Sequence, residues 1–190
     1  MKKTILCLTL IYSFFNIDID ARVLPQDVIW NNDETGYYTI DENSIVLVST
    51  IGKKDKKILS SEDVKNKKIE SFSFSQDKKN VLIFTNSVRV WRYNTRGNYW
   101  VYNLKTKQGK RLGSTLPDRS LMFAKFSPNG EKIAYVSKEI IPNSFRNSST
   151  RANIYLETVE GNSIVKLTES DEKGKIINGT FDWVYEEEFS

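Results

Sequence analysis

The sequence predicts an all-β fold of short antiparallel strands, and three observations lead to this class. Short runs of β-branched and aromatic residues alternate with polar turns rich in Gly, Asn, Asp and Lys. Two kinds of strand–turn–strand unit recur along the chain at a common period of about fifty residues. The 190 residues are 39% apolar and 12% aromatic, which is enough to bury a substantial core.

The N-terminus has the pattern of an export signal. Two lysines precede an apolar run over residues 5–15, too short to span a bilayer, and Ala21 fits the position before a cleavage site. We therefore expect residues 1–21 to be a signal peptide and no other membrane contact; a buried first strand or helix is the alternative. Cleavage would remove Cys7, the single cysteine. The mature protein would be free of disulfides, as expected of a periplasmic or secreted bacterial protein.

The first repeating unit is a hairpin around a tight polar turn. Phe74–Thr85 aligns without gaps with Phe126–Ser137, 52 residues further on. In each copy an incoming strand leads to the turn and a mostly apolar strand leaves it. Asn129-Gly130 is strong turn chemistry because both residue types tolerate positive φ, and Gln76-Asp77 is a weaker version of the same turn.

A second hairpin unit alternates with the first. Its copies run over residues 45–59, 99–112 and 154–167, and each is a strand, a polar turn and a strand. The leucines that close the copies recur at spacings of 53 and 55 residues: Leu59, Leu112 and Leu167. One period therefore holds four short strands, which is the composition of one β-propeller blade.

We expect residues 22–190 to form the N-terminal part of an incomplete β-propeller with about three to four blades, each a four-stranded antiparallel sheet. That number is fewer than a closed ring normally needs. The next copy of the first hairpin would begin shortly after Asp182, so we expect the chain to be truncated within a blade. An all-β sandwich, which also contains such hairpins, is the alternative architecture.

The composition excludes several kinds of chemistry for this chain alone. It contains no histidine, so neither a Ser-His-Asp nor a Cys-His nucleophile system can operate within it. Zinc sites built on histidine or paired cysteines are excluded for the same reason, and calcium-loop and phosphate-loop motifs are absent. We expect no cofactor or metal. The net charge of +4 is modest and the basic residues are scattered among acidic ones, so no nucleic-acid partner is expected.

An acidic and aromatic cluster lies near the end of the sequence. Glu186, Glu187 and Glu188 are flanked by aromatic residues within Phe181–Phe189, and these can pack and hold the carboxylates in place. On a helix, neighbouring side chains can converge on one cation, whereas on a strand they point to opposite faces. We therefore expect a short helical segment here. A peptide's α-ammonium would suit the site; a solvated charge run on a loop is the alternative.

A second candidate is Arg92, which lies among aromatic residues in Val90–Asn94. A guanidinium offers a fixed fork of donors that can orient a ligand carbonyl or carboxylate. The alternative is a surface arginine stacked on a tryptophan or tyrosine. The residues alone favour neither the binding role nor this structural role.

These two motifs carry a resemblance to a known family. Asp182–Glu188 resembles the double-glutamate signature of the dipeptidyl peptidase IV family, in the prolyl oligopeptidase superfamily of serine peptidases. Trp91-Arg92 is similar to the Trp-Arg pair of that family. Residues 99–104 and the turn at 127–130 also fit the family's propeller. The resemblance covers residues 22–190.

The resemblance implies an exported serine exopeptidase that releases N-terminal dipeptides and prefers Xaa-Pro. It implies that Glu187 and Glu188 bind the free N-terminal ammonium of a peptide substrate, while Arg92 contacts a substrate carbonyl; no catalytic residue is assigned. The family's α/β-hydrolase domain, with its nucleophile elbow and catalytic histidine, is absent from this sequence. We therefore expect the chain to be inactive alone, and an intact member to be a homodimer.

Two alternatives stay open from the residues. One is a non-enzymatic binding module similar to the periplasmic propellers of the TolB type, whose repeats share a Phe-Ser-Pro-Asn-Gly kind of turn. That family does not account for Asp182–Glu188. The other is a tripeptidyl relative within the same superfamily, because such relatives share parts of the acidic signature.

Overall fold

The computed structural model describes residues 28–65, 67–90, 93–140, 150–171 and 176–180. In this part of the chain there are twelve β-strands and no helix, which confirms the all-β prediction. The strands are β1 (Ile29–Trp30), β2 (Gly36–Asp41), β3 (Ser44–Ser49), β4 (Lys56–Leu59), β5 (Ser71–Phe74), β6 (Asn80–Val90), β7 (Tyr93–Asn103), β8 (Gly109–Arg111), β9 (Leu121–Phe126), β10 (Lys132–Ile140), β11 (Thr150–Thr158) and β12 (Ile164–Lys166).

The strands form three consecutive antiparallel units of four, each connected in sequence order. Blade 1 is β1–β4, blade 2 is β5–β8 and blade 3 is β9–β12. Blades 2 and 3 share a continuous sheet because Gly97 of β7 bridges Leu121 of β9. The sheets described do not close on themselves. The prediction of an incomplete propeller built from four-stranded antiparallel blades is confirmed.

The two copies of the first hairpin turn have the same hydrogen bonds. The Ser75 amide donates to the Asn80 carbonyl over 2.9 Å, and Ser127 makes the equivalent bond to Lys132 over 2.8 Å. Each serine hydroxyl also accepts from the amide at the start of the outgoing strand, over 3.0 Å in both copies. The two copies of the 52-residue repeat therefore share the individual hydrogen bonds of their turns as well as their sequence pattern.

The turn differs from the prediction in one detail. Positive φ falls on Gly130 in one copy and on Lys78 in the other, so Asp77-Lys78, and not Gln76-Asp77, is the counterpart of Asn129-Gly130. The Ser75 hydroxyl donates to Asp77 over 2.7 Å and the Lys79 amide donates to the same carboxylate oxygen. These bonds to a side chain hold the turn although lysine is disfavoured at positive φ.

The core lies between successive blades. Alternate residues of β6 face opposite neighbours: Val81 and Ile83 pack toward blade 1, while Leu82 packs toward blade 3. This alternation follows from the period of two along a strand. β6 is therefore apolar on both faces and positions blade 2 between two hydrophobic layers.

The leucines that close the second hairpin unit differ in burial. Leu59 and Leu112 are fully buried, and each packs against the next blade. Leu167 follows the last described blade and is 53% exposed. Its backbone amide still bonds to Ile154, as that of Leu112 bonds to Tyr99, so the strand pairing repeats where the side-chain burial does not.

Candidate functional site

β6 and β7 form a hairpin with two 11-residue strands, here called the long hairpin. Its register runs from Asn80 opposite Asn103 to Val90 opposite Tyr93. The connection between the two strands is Trp91-Arg92. Arg92, the predicted carbonyl-binding residue, follows β6 in the sequence and lies outside the described residues.

The β6 arm has a bulge at Asn86 and Ser87, where the pairing with β7 shifts register. Asn86 has a positive φ of 54°. Three hydrogen bonds from other elements hold the backbone of this bulge. Arg119 donates through Nε to the Asn86 carbonyl over 3.2 Å and through Nη2 to the Ser87 carbonyl over 3.0 Å. The Ser87 amide donates to Glu70 Oε1 over 2.8 Å.

The β7 arm is held at the same level by Asn98, whose side chain is buried. Its Oδ1 accepts from the Arg119 amide over 2.9 Å, and its Nδ2 donates to Asp118 Oδ1 over 2.9 Å. Asp118 and Arg119 belong to the connector between β8 and β9. The connector between blades 2 and 3 therefore forms hydrogen bonds with both arms of the long hairpin.

A cavity of about 560 Å³ lies beside this level. Its lining includes the polar residues Glu70, Asn86 and Asn98 together with Trp100. Lys67, also in the lining, places its ammonium 4.1 Å from the centroid of the Trp100 ring. Burial lowers the pKa of Lys67, and the positive charge of a neighbouring lysine lowers it further. The cavity offers cationic and amide groups for binding.

Among the described residues, no group of three or more His, Cys, Asp or Glu side chains is placed to hold a metal ion. Within the same ranges no helix is long and apolar enough to cross a membrane.

The structure does not place the predicted ammonium site. Glu187 and Glu188, and the short helix expected at the acidic cluster, lie outside the described residues, as does the expected signal peptide at 1–21. The described residues therefore show what supports the hairpin of Arg92.

A buried carboxylate that the sequence analysis missed joins blades 2 and 3. Glu157 on β11 is 2% exposed and accepts from the Gly113 amide over 2.9 Å and from the Tyr135 hydroxyl over 3.0 Å. Lys110 on β8 pairs with it over 3.1 Å. Burial, followed by the adjacent Glu157 carboxylate, raises the pKa of Tyr135. The sequence does carry a signal for this burial. Side chains alternate between the two faces of a strand, so Glu157 on β11 lies on the same inward face as Tyr155.

The sequence was compared with models of protein families. Residues 75–190 match the model of the dipeptidyl peptidase IV (DPP IV) N-terminal region. The chain belongs to the dipeptidyl peptidase IV family. The matched region contains the long hairpin, both copies of the first repeating turn and the acidic cluster, and it favours this family over the TolB-type alternative.

Individual relatives agree with this family. Prolyl endopeptidase FAP of Homo sapiens is 30% identical over 159 residues, which are 84% of this chain and 19% of the relative. Dipeptidyl aminopeptidase B of Saccharomyces cerevisiae is 33% identical over 123 residues, or 65% of this chain and 13% of the relative. The chain thus spans less than a fifth of the length of either relative.

Among solved structures, Porphyromonas gingivalis dipeptidyl peptidase 4 superposes with a TM-score of 0.65 at 23% identity. The superposition covers 85% of this chain and 22% of that structure. This likeness supports the propeller fold.

Proposed function

We propose that the chain is the substrate-anchoring propeller region of an exported, periplasmic or secreted serine exopeptidase that releases N-terminal dipeptides. Glu187 and Glu188 bind the α-ammonium of the peptide substrate, and Arg92 binds a carbonyl of its first residues. The site thereby sets the distance from the N-terminus to the bond that is cleaved, with a preference for Xaa-Pro.

The observation that carries the proposal is the family match over residues 75–190, which contains both motifs. In the sequence Trp91-Arg92 lies between β6 and β7, and hydrogen bonds from two flanking connectors fix β6 at Asn86 and Ser87. A guanidinium on such a support can present its donors in a constant direction. Two carboxylates are the complementary partner for an ammonium, because charge-assisted hydrogen bonds are stronger than neutral ones.

The proposed contribution is positioning and not bond chemistry. Without a histidine the 190 residues cannot supply the base of a serine triad. Holding the peptide at its N-terminus raises the effective concentration of one peptide bond at reactive groups that a hydrolase domain would supply.

The test is peptide binding by the 190-residue chain, measured by calorimetry with a Gly-Pro-initiated peptide. Glu187→Gln and Glu188→Gln keep the side-chain shape and remove the charge, so each should weaken binding by about tenfold or more. Glu186→Gln is the matched control and should leave the affinity within about twofold of the wild type. Equal effects of all three substitutions, or none, would refute the assignment of the ammonium site.

A further inference from the structure

We propose that Arg119 is a positioning residue that holds the long hairpin so that Arg92 meets the peptide. The inference rests on the proposed function of Arg92. It concerns a residue 27 positions later in the chain that does not belong to either predicted binding motif.

The first step is the geometry at the bulge. The pairing of β6 with β7 shifts register between Thr85 and Val88, so the carbonyls of Asn86 and Ser87 need partners outside the regular ladder. The planar guanidinium of Arg119 donates to both through two different nitrogens, over 3.2 and 3.0 Å. A fork of fixed donors suits two successive carbonyls and fixes their direction.

The second step is that the support comes from two directions. Glu70, which directly precedes β5, accepts from the Ser87 amide over 2.8 Å. Arg119 approaches from the connector that precedes β9. Its own amide donates to Asn98 on the opposite arm, so one residue ties β6 to β7 at the level where blade 3 joins the sheet.

The third step is the length of hairpin beyond that level. Gly97 makes the bridge to β9, and among the described strands residues 88–90 pair only with residues 93–96. Val90, where β6 ends, is three residues beyond Ser87, which is about 10 Å of extended strand at about 3.3 Å per residue. A tilt of about 10° at the bulge would therefore move the end of β6 by about 2 Å. Displacements of about 1 Å in a binding group can change rates by about a hundredfold.

The experiment compares Arg119→Gln with Arg111→Gln in the 190-residue chain. Arg111 is a matched control because its guanidinium binds the same connector, through the Pro117 carbonyl at 3.2 Å and Asp118 at 3.5 Å. Amide hydrogen exchange over residues 88–96 should accelerate by about tenfold in Arg119→Gln and stay near the wild-type rate in Arg111→Gln. Amides of Ser44–Ser49 in blade 1 serve as the internal reference and should not change.

Peptide affinity gives the second readout, through a double-mutant cycle with Arg92→Gln. Arg119→Gln should weaken binding by about tenfold when Arg92 is present and by less than about twofold when it is absent. Arg119→Lys retains the charge without the fork and should give intermediate exchange and intermediate affinity.

The outcomes separate this inference from the proposed function. Hairpin exchange in Arg119→Gln equal to that in Arg111→Gln would overturn the inference, and so would a binding defect that persists in full without Arg92. If Arg119→Gln accelerates exchange but Arg92→Gln leaves peptide affinity unchanged, the support of the hairpin by Arg119 stands and the proposed role of Arg92 falls.

Discussion

Replacement of Glu157 by leucine should destabilise the fold more than any surface charge substitution. The carboxylate is almost fully buried between blades 2 and 3 and accepts hydrogen bonds from the Gly113 amide and the Tyr135 hydroxyl. Leucine would remove the carboxylate oxygen that both of these buried donors share, at about 1–3 kcal/mol for each lost hydrogen bond. It would also remove the carboxylate that pairs with the Lys110 ammonium.

The magnitude follows from these contacts. Lys110 is 24% exposed at its side chain and keeps the carbonyls of Thr158 and Gly161, each 2.6 Å away, so most of the cost lies with the two buried donors. Their sum agrees with the loss of about 3–5 kcal/mol expected when one partner of a buried ion pair is removed. For a chain of this size the midpoint of thermal unfolding should fall by about 10 °C.

The assay is urea and thermal unfolding followed by circular dichroism, with Glu169→Gln as the control. Glu169 pairs with Lys166 over 2.6 Å, but its side chain is 78% exposed, so its loss should change the free energy of unfolding by at most about 1 kcal/mol. A Glu157→Leu variant as stable as Glu169→Gln would refute the reasoning that this carboxylate joins the two blades.

Three further predictions concern the turn, the hairpin and catalysis. The Ser75 hydroxyl, followed by the Lys79 amide, lowers the pKa of Asp77 from 3.8 to about 2, so its contribution to stability is present above pH 3.8 and is lost as the pH falls through about 2. Asp77→Asn, which copies Asn129, should retain stability at pH 7 and remove that part of the acid sensitivity in thermal melts between pH 4 and 2. At Gly97 a Cβ would lie 2.6 Å from the Phe84 ring and 2.8 Å from the Thr85 carbonyl, so Gly97→Ala should lower the free energy of unfolding by about 1–3 kcal/mol; an unchanged urea midpoint would contradict the packing. The 190-residue chain should release no chromophore from Gly-Pro substrates because it lacks histidine, and purified activity would contradict the account.

The repeated strands could be predicted because their signals are local. Apolar runs between turn residues predict β6 and β10. The first residues of these two strands are 52 positions apart, as the alignment requires. The turn at Asp77-Lys78 was misplaced by one residue because its conformation depends on the side chains of Ser75 and Asp77, and lysine gives no signal for positive φ. The strands β1 and β2 were not predicted.

The support of the candidate site could not be predicted, since it depends on contacts between distant segments. Arg119 binds carbonyls 32 and 33 positions earlier, and Glu70 binds an amide 17 positions later. No periodicity connects such residues. The outer arms of the long hairpin are also poorly marked in sequence, because polar residues such as Asn86, Ser87 and Arg96 interrupt the apolar alternation.

The central claim, that this propeller region anchors the free N-terminus of a peptide, is tested most directly by one comparison of ligands. The affinity of the 190-residue chain is measured by calorimetry at pH 7 for a Gly-Pro-initiated peptide and for the same peptide with an acetylated N-terminus. Acetylation removes the ammonium and leaves every other group in place, so the account predicts at least about a tenfold loss of affinity, or about 1.4 kcal/mol. Equal affinity for the two peptides would contradict it.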